Sequence, residues 1–537
     1  MREETPILKH FNTTGPIRPE KHYSIPVGQR IDLDAIKALI DEEKYFILHA
    51  PRQSGKTTTL LEIMRQLNSS GQYKCLYINV ESAQTTRENV EKAMRVIANI
   101  LVRMERDDLN EAVFKEHFHE TLADAPENAL EILLSHWARQ SSLPTVLLID
   151  EIDSLIGDTL VSVLRQLRGG YAGRPKKFPQ SIILCGVRDI RDYRIHASQE
   201  KEVITGGSCF NITAKSLTVG NFSSEEVKDL YLQHTAETGQ VFTPDAITLA
   251  YDLTRGQPWL VNALGYETCF EMSEGKNRQN PITPELILQA KENLIKRRVT
   301  HLDQLADKLK EDRVRRIIAP MLEGVQPSKL LDDDIQYVTD LGLIVSDRQG
   351  LKIANPIYQE VVPRQLTSIN QTLLKSEVDD RWYINADGSI AVEKLLTDFQ
   401  KFFRENSESW IQRFDYREAG PQLLLQAYLQ RVINGGGRIE REYGLGRMRT
   451  DLLLVWPYVK DGQKCEQRAV FELKIQHKGR AATIAEGLEQ TTSYLERVGE
   501  KSGHLLVFDR DAKVSWDEKI YRQELTHKGY AITVWGM

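Results

Sequence analysis

At 537 residues the chain exceeds what one hydrophobic core supports, and three or four domains are expected. Its 41% hydrophobic and 27% charged residues are those of a globular protein, and the net charge of −6 excludes a protein that coats DNA by bulk positive charge. No apolar stretch is long enough for a membrane span, Met1-Arg2-Glu3-Glu4 does not open a signal peptide, and the five cysteines are never paired as CxxC; a cytoplasmic protein without membrane, disulfide or cysteine–zinc chemistry is expected.

In chain order, short apolar runs at Lys44–Ala50, Lys74–Val80, Thr145–Asp150, Ser181–Gly186 and Ser208–Ile212 alternate with helical patterns such as Thr57–Leu67 and Arg87–Arg106. Buried strands alternating with amphipathic helices predict a parallel α/β sheet. The first run leads into Ala50-Pro51-Arg52-Gln53-Ser54-Gly55-Lys56-Thr57-Thr58, which reads as a phosphate loop. Its backbone N–H groups and the following helix N-terminus would surround a β-phosphate. Lys56 would reach the β- and γ-phosphates, and Thr57 would ligate Mg²⁺. The third run ends in Asp150-Glu151, a pair suited to holding Mg²⁺ (Asp150) and activating water (Glu151). Arg188 follows the fourth run at the sheet's carboxyl edge; it could sense a γ-phosphate or pair with Asp189.

A helical region begins at Ser223, an N-cap with Glu226 closing a capping box, and continues through Gly256-Gln257-Pro258 and Pro284–Arg298. Helices at Asp303–Glu323 and Asp332–Leu341 precede two short strands around Ser346–Gly350, the order of a winged helix. Asp332-Asp333-Asp334 opens the second of these helices, and its repulsion from phosphate makes it a poor reader of DNA. The polar segment Thr367–Gly388 reads as a linker.

The last part is again α/β. Arg438–Tyr443 and Thr450–Val455 flank the glycine turn Gly444–Arg447, and Ala469–Lys474 ends in Glu472-Leu473-Lys474. Lys474 lies two residues beyond Glu472, so both occupy one face of the strand.

The N-terminal part resembles AAA+/STAND-type P-loop ATPases of the ASCE group, on Lys56-Thr57, Asp150-Glu151 and Gly256-Gln257-Pro258, the last similar to an element of their helical lid. The resemblance implies ATP as cofactor. It makes His22 and Tyr23 candidate base contacts, and Arg165, Arg168 and Arg174 candidate finger residues should the protein form a homo-oligomer. Residues 417–510 resemble the PD-(D/E)xK nuclease superfamily, with Asp451, Glu472 and Lys474 matching its signature. Glu418 matches an acidic residue that many members add, and Gln490 and Tyr494 match the Q-xxx-Y helix of a subgroup. That resemblance implies Mg²⁺ or Mn²⁺ on Glu418, Asp451 and Glu472, with nucleic acid as partner, DNA before RNA.

The expected architecture is a P-loop domain (1–220), a helical lid (221–299), a winged-helix-like domain (300–366), a linker (367–388) and a restriction-endonuclease-like α/β domain (389–537). The expected function is an ATP-hydrolysing, ATP-regulated metal-dependent nuclease, and the resemblance alone suggests bacterial defence or mobile-element control. The alternative is an ATP-gated sensor or adaptor whose C-terminal domain only binds nucleic acid or protein.

Overall fold

The computed structural model describes residues 9–188, 194–196, 203–205, 212–297, 308–309, 311–322, 332–347, 350–361, 383–413, 425, 428–429, 438–442, 451–460, 463–476, 479–509, 511 and 513–537. The chain divides into two compact units. The first holds Met1–Val299, Gln336–Ile344 and Ala354–Pro356; the second holds Thr300–Ile335, Val345–Ile353 and Ile357–Met537.

The first unit is built on a parallel sheet of β1 (Tyr45–His49), β2 (Lys74–Asn79), β3 (Thr145–Asp150), β4 (Ser181–Gly186) and β7 (Thr213–Thr218), in the order β2-β3-β4-β1-β7. Every residue of β3 and β4 is buried, because one apolar cluster covers each face of the sheet. The runs at Lys44–Ala50, Lys74–Val80, Thr145–Asp150 and Ser181–Gly186 are therefore strands of this sheet, with β2 at one edge. The last strand of this sheet lies at Thr213–Thr218, and of the expected run Ser208–Ile212 residues 208–211 lie outside the described residues. Its polar sequence is tolerated because β7 is an edge strand. Two further short strands, β5 (Arg194–His196) and β6 (Val203–Thr205), pair antiparallel with each other.

Helices Ser224–Thr238, Pro244–Thr254, Pro258–Tyr266 and Pro284–Lys296 follow. Ser223 and Glu226 form the expected capping box, with Glu226 N donating to Ser223 Oγ at 3.2 Å and Ser223 N donating to Glu226 Oε2 at 2.6 Å. At Gly256 the backbone has φ of +71°, and a Cβ there would lie 1.8 Å from the Phe222 carbonyl oxygen, so only glycine fits.

Helices Asp312–Leu322 and Asp332–Asp340 precede the paired strands β8 (Ile344–Asp347) and β9 (Gly350–Ile353), so the predicted helix–helix–hairpin order is present. The acidic start of the second helix meets basic side chains of the first. Arg313 Nε lies 3.2 Å from Asp334 Oδ1, and Arg316 Nη2 lies 3.5 Å from Asp334 Oδ2. These arginines compensate the aspartates within the chain.

The second unit carries a six-stranded sheet in the order β10-β11-β12-β13-β15-β14, formed by β10 (Arg438–Glu442), β11 (Asp451–Lys460), β12 (Gln463–Ile475), β13 (Ser502–Phe508), β14 (Arg522–His527) and β15 (Tyr530–Gly536). The first three strands are antiparallel. Helix Arg480–Val498 then carries the chain to β13, which runs parallel to β12 and β15. Of the linker segment, the described end packs on this sheet: Tyr383 is buried in its core, and Trp456 Nε1 donates to Gly388 O at 3.0 Å.

Candidate active sites

The phosphate loop joins β1 to helix Lys56–Ser69 through Gly55, whose φ of +95° only glycine adopts without strain. Gln53 also has positive φ, at +57°. Ser54 Oγ donates to Pro51 O at 2.7 Å, closing the loop on itself. Lys56 is buried, and its ammonium donates to Ala50 O at 2.9 Å and Pro51 O at 3.0 Å. Arg52 is exposed, and Thr58 Oγ1 accepts from Ile17 N at 3.1 Å.

Opposite this loop, Asp150 is fully buried at the end of β3 and accepts three hydrogen bonds. Thr57 Oγ1 and the Tyr77 hydroxyl donate to Oδ2 at 2.7 and 2.9 Å, and Glu151 N donates to Oδ1 at 3.0 Å. A hydroxyl and a carboxylate at this distance are a pair of hard oxygens that fits Mg²⁺. Glu151 leaves the strand in a left-handed conformation with φ of +56°. Burial, reinforced by Asp153, raises its carboxyl above the ordinary value. Burial also raises the Tyr77 hydroxyl, with Asp150 adding to the effect, so it donates at any working pH.

A cleft beside the loop is lined by Gly55 and Thr58, by the N-terminal arm including Gly15 and Tyr23, and by Pro258 and Trp259 of the helical region. Pro258 begins its helix with Gln257 as cap, whose side chain accepts from Leu260 N at 2.6 Å, and Trp259 Nε1 donates to Thr13 O at 2.9 Å. Of the two base-contact candidates, Tyr23 lines the cleft, and its hydroxyl lies 3.1 Å from His234 Nδ1. His22 is buried against the arm instead: its Nδ1 accepts from Arg18 N at 2.9 Å and its ring packs edge-on against His10. Sequence reasoning missed Arg30, which also lines the cleft. Its Nη2 donates to Ser54 O at 2.9 Å and Gly220 O at 2.7 Å, and burial lowers its pKa to about 10. It missed Tyr77 too, although its spacing from Asn79, which pairs with Asp150, was a usable signal.

Arg188 is buried and forms an ion pair with Asp340, Nε to Oδ2 at 3.1 Å. Asp189, the sequence-based partner, lies outside the described residues. Arg174 is used inside the chain: its guanidinium stacks on Tyr171 at 3.3 Å and donates to Glu43 O at 2.7 Å.

In the C-terminal sheet, Asp451 of β11 pairs directly with Glu472 of β12 in the antiparallel ladder. Directly opposed positions share a face, here the one that carries Leu453, Val455 and Val470 against Tyr494 and Leu495 of helix Arg480–Val498. Glu472 is 1% exposed, and Lys474 Nζ lies 2.8 Å from its Oε1. Tyr494 is buried, as is the side-chain oxygen of Gln490. Glu418 and the turn Gly444–Arg447 lie outside the described residues, among which no three His, Cys, Asp or Glu side chains converge as a metal cluster.

Residues 40–193 match the family model described as an AAA domain. That stretch runs from before β1 to beyond β4 and includes the phosphate loop and the Asp150-Glu151 strand end. Among solved structures the chain is similar to a Walker-type ATPase of Pyrococcus abyssi, at 14% identity over 66% of this chain and 99% of that one, with a TM-score of 0.44. It is also similar to the RuvB Holliday junction branch migration motor of Thermotoga maritima (14% identity, 63% and 93% covered, TM-score 0.33). A third is Cdc6p from Pyrobaculum aerophilum (14% identity, 64% and 95% covered, TM-score 0.35). No curated protein matches the sequence. Among the described residues no helix is long and apolar enough to cross a membrane.

Proposed function

We propose that the chain is an ATP-hydrolysing, ATP-regulated nuclease that cleaves nucleic-acid phosphodiester bonds with the help of divalent metal. The observation that carries the nuclease half is the cross-strand pairing of Asp451 with Glu472, beside the buried Glu472–Lys474 contact.

In the ATPase half, Lys56 neutralises the β- and γ-phosphates, and Thr57 with Asp150 would hold Mg²⁺, which when bound would offset charge on the phosphates. Tyr77 fixes the Asp150 carboxylate. Glu151 takes the proton of the attacking water, and its raised pKa makes it a stronger base for that step. Tyr23, Pro258 and Trp259 lie where the rest of the nucleotide would be gripped. In the nuclease half, Asp451 and Glu472 would hold Mg²⁺ or Mn²⁺, and Glu418 is proposed to complete the set. Lys474 stabilises charge on the cleaved phosphate or orients the water. Its present contact with Glu472 is consistent with a cation that can turn from carboxylate to phosphate.

Purified protein incubated with plasmid, linear duplex, single-stranded DNA and RNA should cleave at least one of them in Mg²⁺ or Mn²⁺, and Glu472→Gln should not. Cleavage that survives in Glu472→Gln would refute this assignment. A chain that hydrolyses ATP and cuts nothing would leave the sensor or adaptor reading.

A further inference from the structure

Arg188 lies two residues beyond β4, on the same sheet edge as Lys56 and Asp150, and Ala50 N donates to Gly186 O at 3.2 Å where this edge meets the phosphate loop. Its guanidinium is engaged by Asp340, 152 positions later in the chain. The two side chains are only 8% and 4% exposed. Asp340 is itself aimed: Gln336 Nε2 donates to its Oδ1 at 2.8 Å, leaving Oδ2 to Arg188. Tyr337 adds its ring 5.1 Å from the guanidinium carbon. The same segment abuts the phosphate loop, since a Cβ at Gly342 would come 2.8 Å from the Pro51 ring. A carboxylate on residues 336–344 therefore engages the arginine that follows β4.

We propose that Asp340 determines the preference of this site between nucleoside triphosphate and nucleoside diphosphate, by holding the Arg188 guanidinium that a γ-phosphate would use. The proposal rests on the ATP-binding reading above. A diphosphate leaves the pair undisturbed. A triphosphate competes with this carboxylate for the Arg188 guanidinium, and that competition opposes its binding. The pair thus biases the site toward the diphosphate, and release of Asp340 is the step that admits a triphosphate. Asp340 is a positioning and specificity residue in this scheme and touches no reacting atom.

Titration calorimetry of the full chain with Mg²⁺-ADP and with a Mg²⁺-bound non-hydrolysable ATP analogue measures the ratio of the two affinities. Asp340→Asn keeps the size and the Gln336 contact but removes the charge. It should shift the ratio toward the triphosphate by roughly tenfold, with ADP affinity changing less than about twofold. Gln336→Ala, which only loosens Asp340, should shift it in the same direction by less, and it carries the test should Asp340→Asn not fold. In an Arg188→Gln background the Asp340→Asn effect should vanish, because no guanidinium remains to be released. An unchanged ratio in both single variants, an equal change for both nucleotides, or a shift that persists without Arg188 overturns the proposal. Wild-type chain that binds neither nucleotide would instead overturn the ATP-site reading, and the proposal with it.

Discussion

Tyr77→Phe isolates one hydrogen bond at the centre of the ATPase site. The ring is 8% exposed and keeps its packing, while Asp150, fully buried, loses one of its three donors. A hydrogen bond to a charged group contributes about 1.5–3 kcal/mol, and leaving a buried carboxylate one donor short forfeits much of that. Where the loss falls on orientation of the carboxylate proposed to hold Mg²⁺, it corresponds to roughly a tenfold to hundredfold fall in activity. The variant should therefore bind ATP in EDTA as wild type does, through Lys56 and the cleft. At saturating ATP and Mg²⁺ its turnover should fall at least about tenfold. Steady-state phosphate release paired with nucleotide titration separates the two quantities. Wild-type turnover in a folded Tyr77→Phe protein would refute the idea that this hydroxyl fixes Asp150. Parallel loss of metal-free ATP binding would show that the change acts through the fold instead.

Lys56→Ala should abolish ATP binding, whereas Glu151→Gln should bind ATP and hydrolyse it slowly; equal turnover in Glu151→Gln and wild type removes Glu151 from its role. Gly256→Ala should weaken nucleotide binding and lower the melting temperature, because its Cβ would collide with the Phe222 carbonyl; unchanged affinity and melting would show that the turn gives way freely. Burial lowers the pKa of His504 to about 4, Arg522 adding to the effect. The unfolded chain, with the ordinary value of 6.5, then binds the extra proton first, so about 3 kcal/mol of stability present above pH 6.5 is lost as pH falls toward 4. Denaturant unfolding followed at tryptophan should show this slope, since Trp535 Nε1 lies 3.3 Å from His504 Nδ1, and His504→Phe should flatten it; an unchanged slope would exclude His504 as its source.

Much of the candidate ATPase site was legible because its parts are local. The loop from Ala50 to Thr58 is contiguous, and Asp150-Glu151 ends an apolar run that only a buried strand explains. The hairpin expected from Arg438–Tyr443 and Thr450–Val455 appears as the antiparallel pair β10–β11, whose strands are close in sequence, whereas the β11–β12 pairing was not read from the sequence. What sequence reading missed depends on contacts remote in the chain. Asp340 reaches Arg188 across 152 positions, and Arg30 joins Ser54 to Gly220. Neither pattern leaves a periodic trace. The His22 and Tyr23 candidates separated because adjacent residues point to different surroundings, one to the arm and one to the cleft. The strand at Thr213–Thr218 escaped notice because an edge position asks little hydrophobicity of it.

The central claim is that one chain hydrolyses ATP at one site and cuts nucleic acid at another, with the first controlling the second. The most direct test measures cleavage of one substrate with ATP, ADP and no nucleotide, for wild type, Lys56→Ala and Asp451→Ala, while recording phosphate release in the same tubes. The account predicts that cleavage differs among the three nucleotide conditions for wild type but not for Lys56→Ala. It further predicts that Asp451→Ala releases phosphate at close to the wild-type rate and cuts nothing. Identical wild-type cleavage in all three conditions, or cleavage by Asp451→Ala, would contradict it.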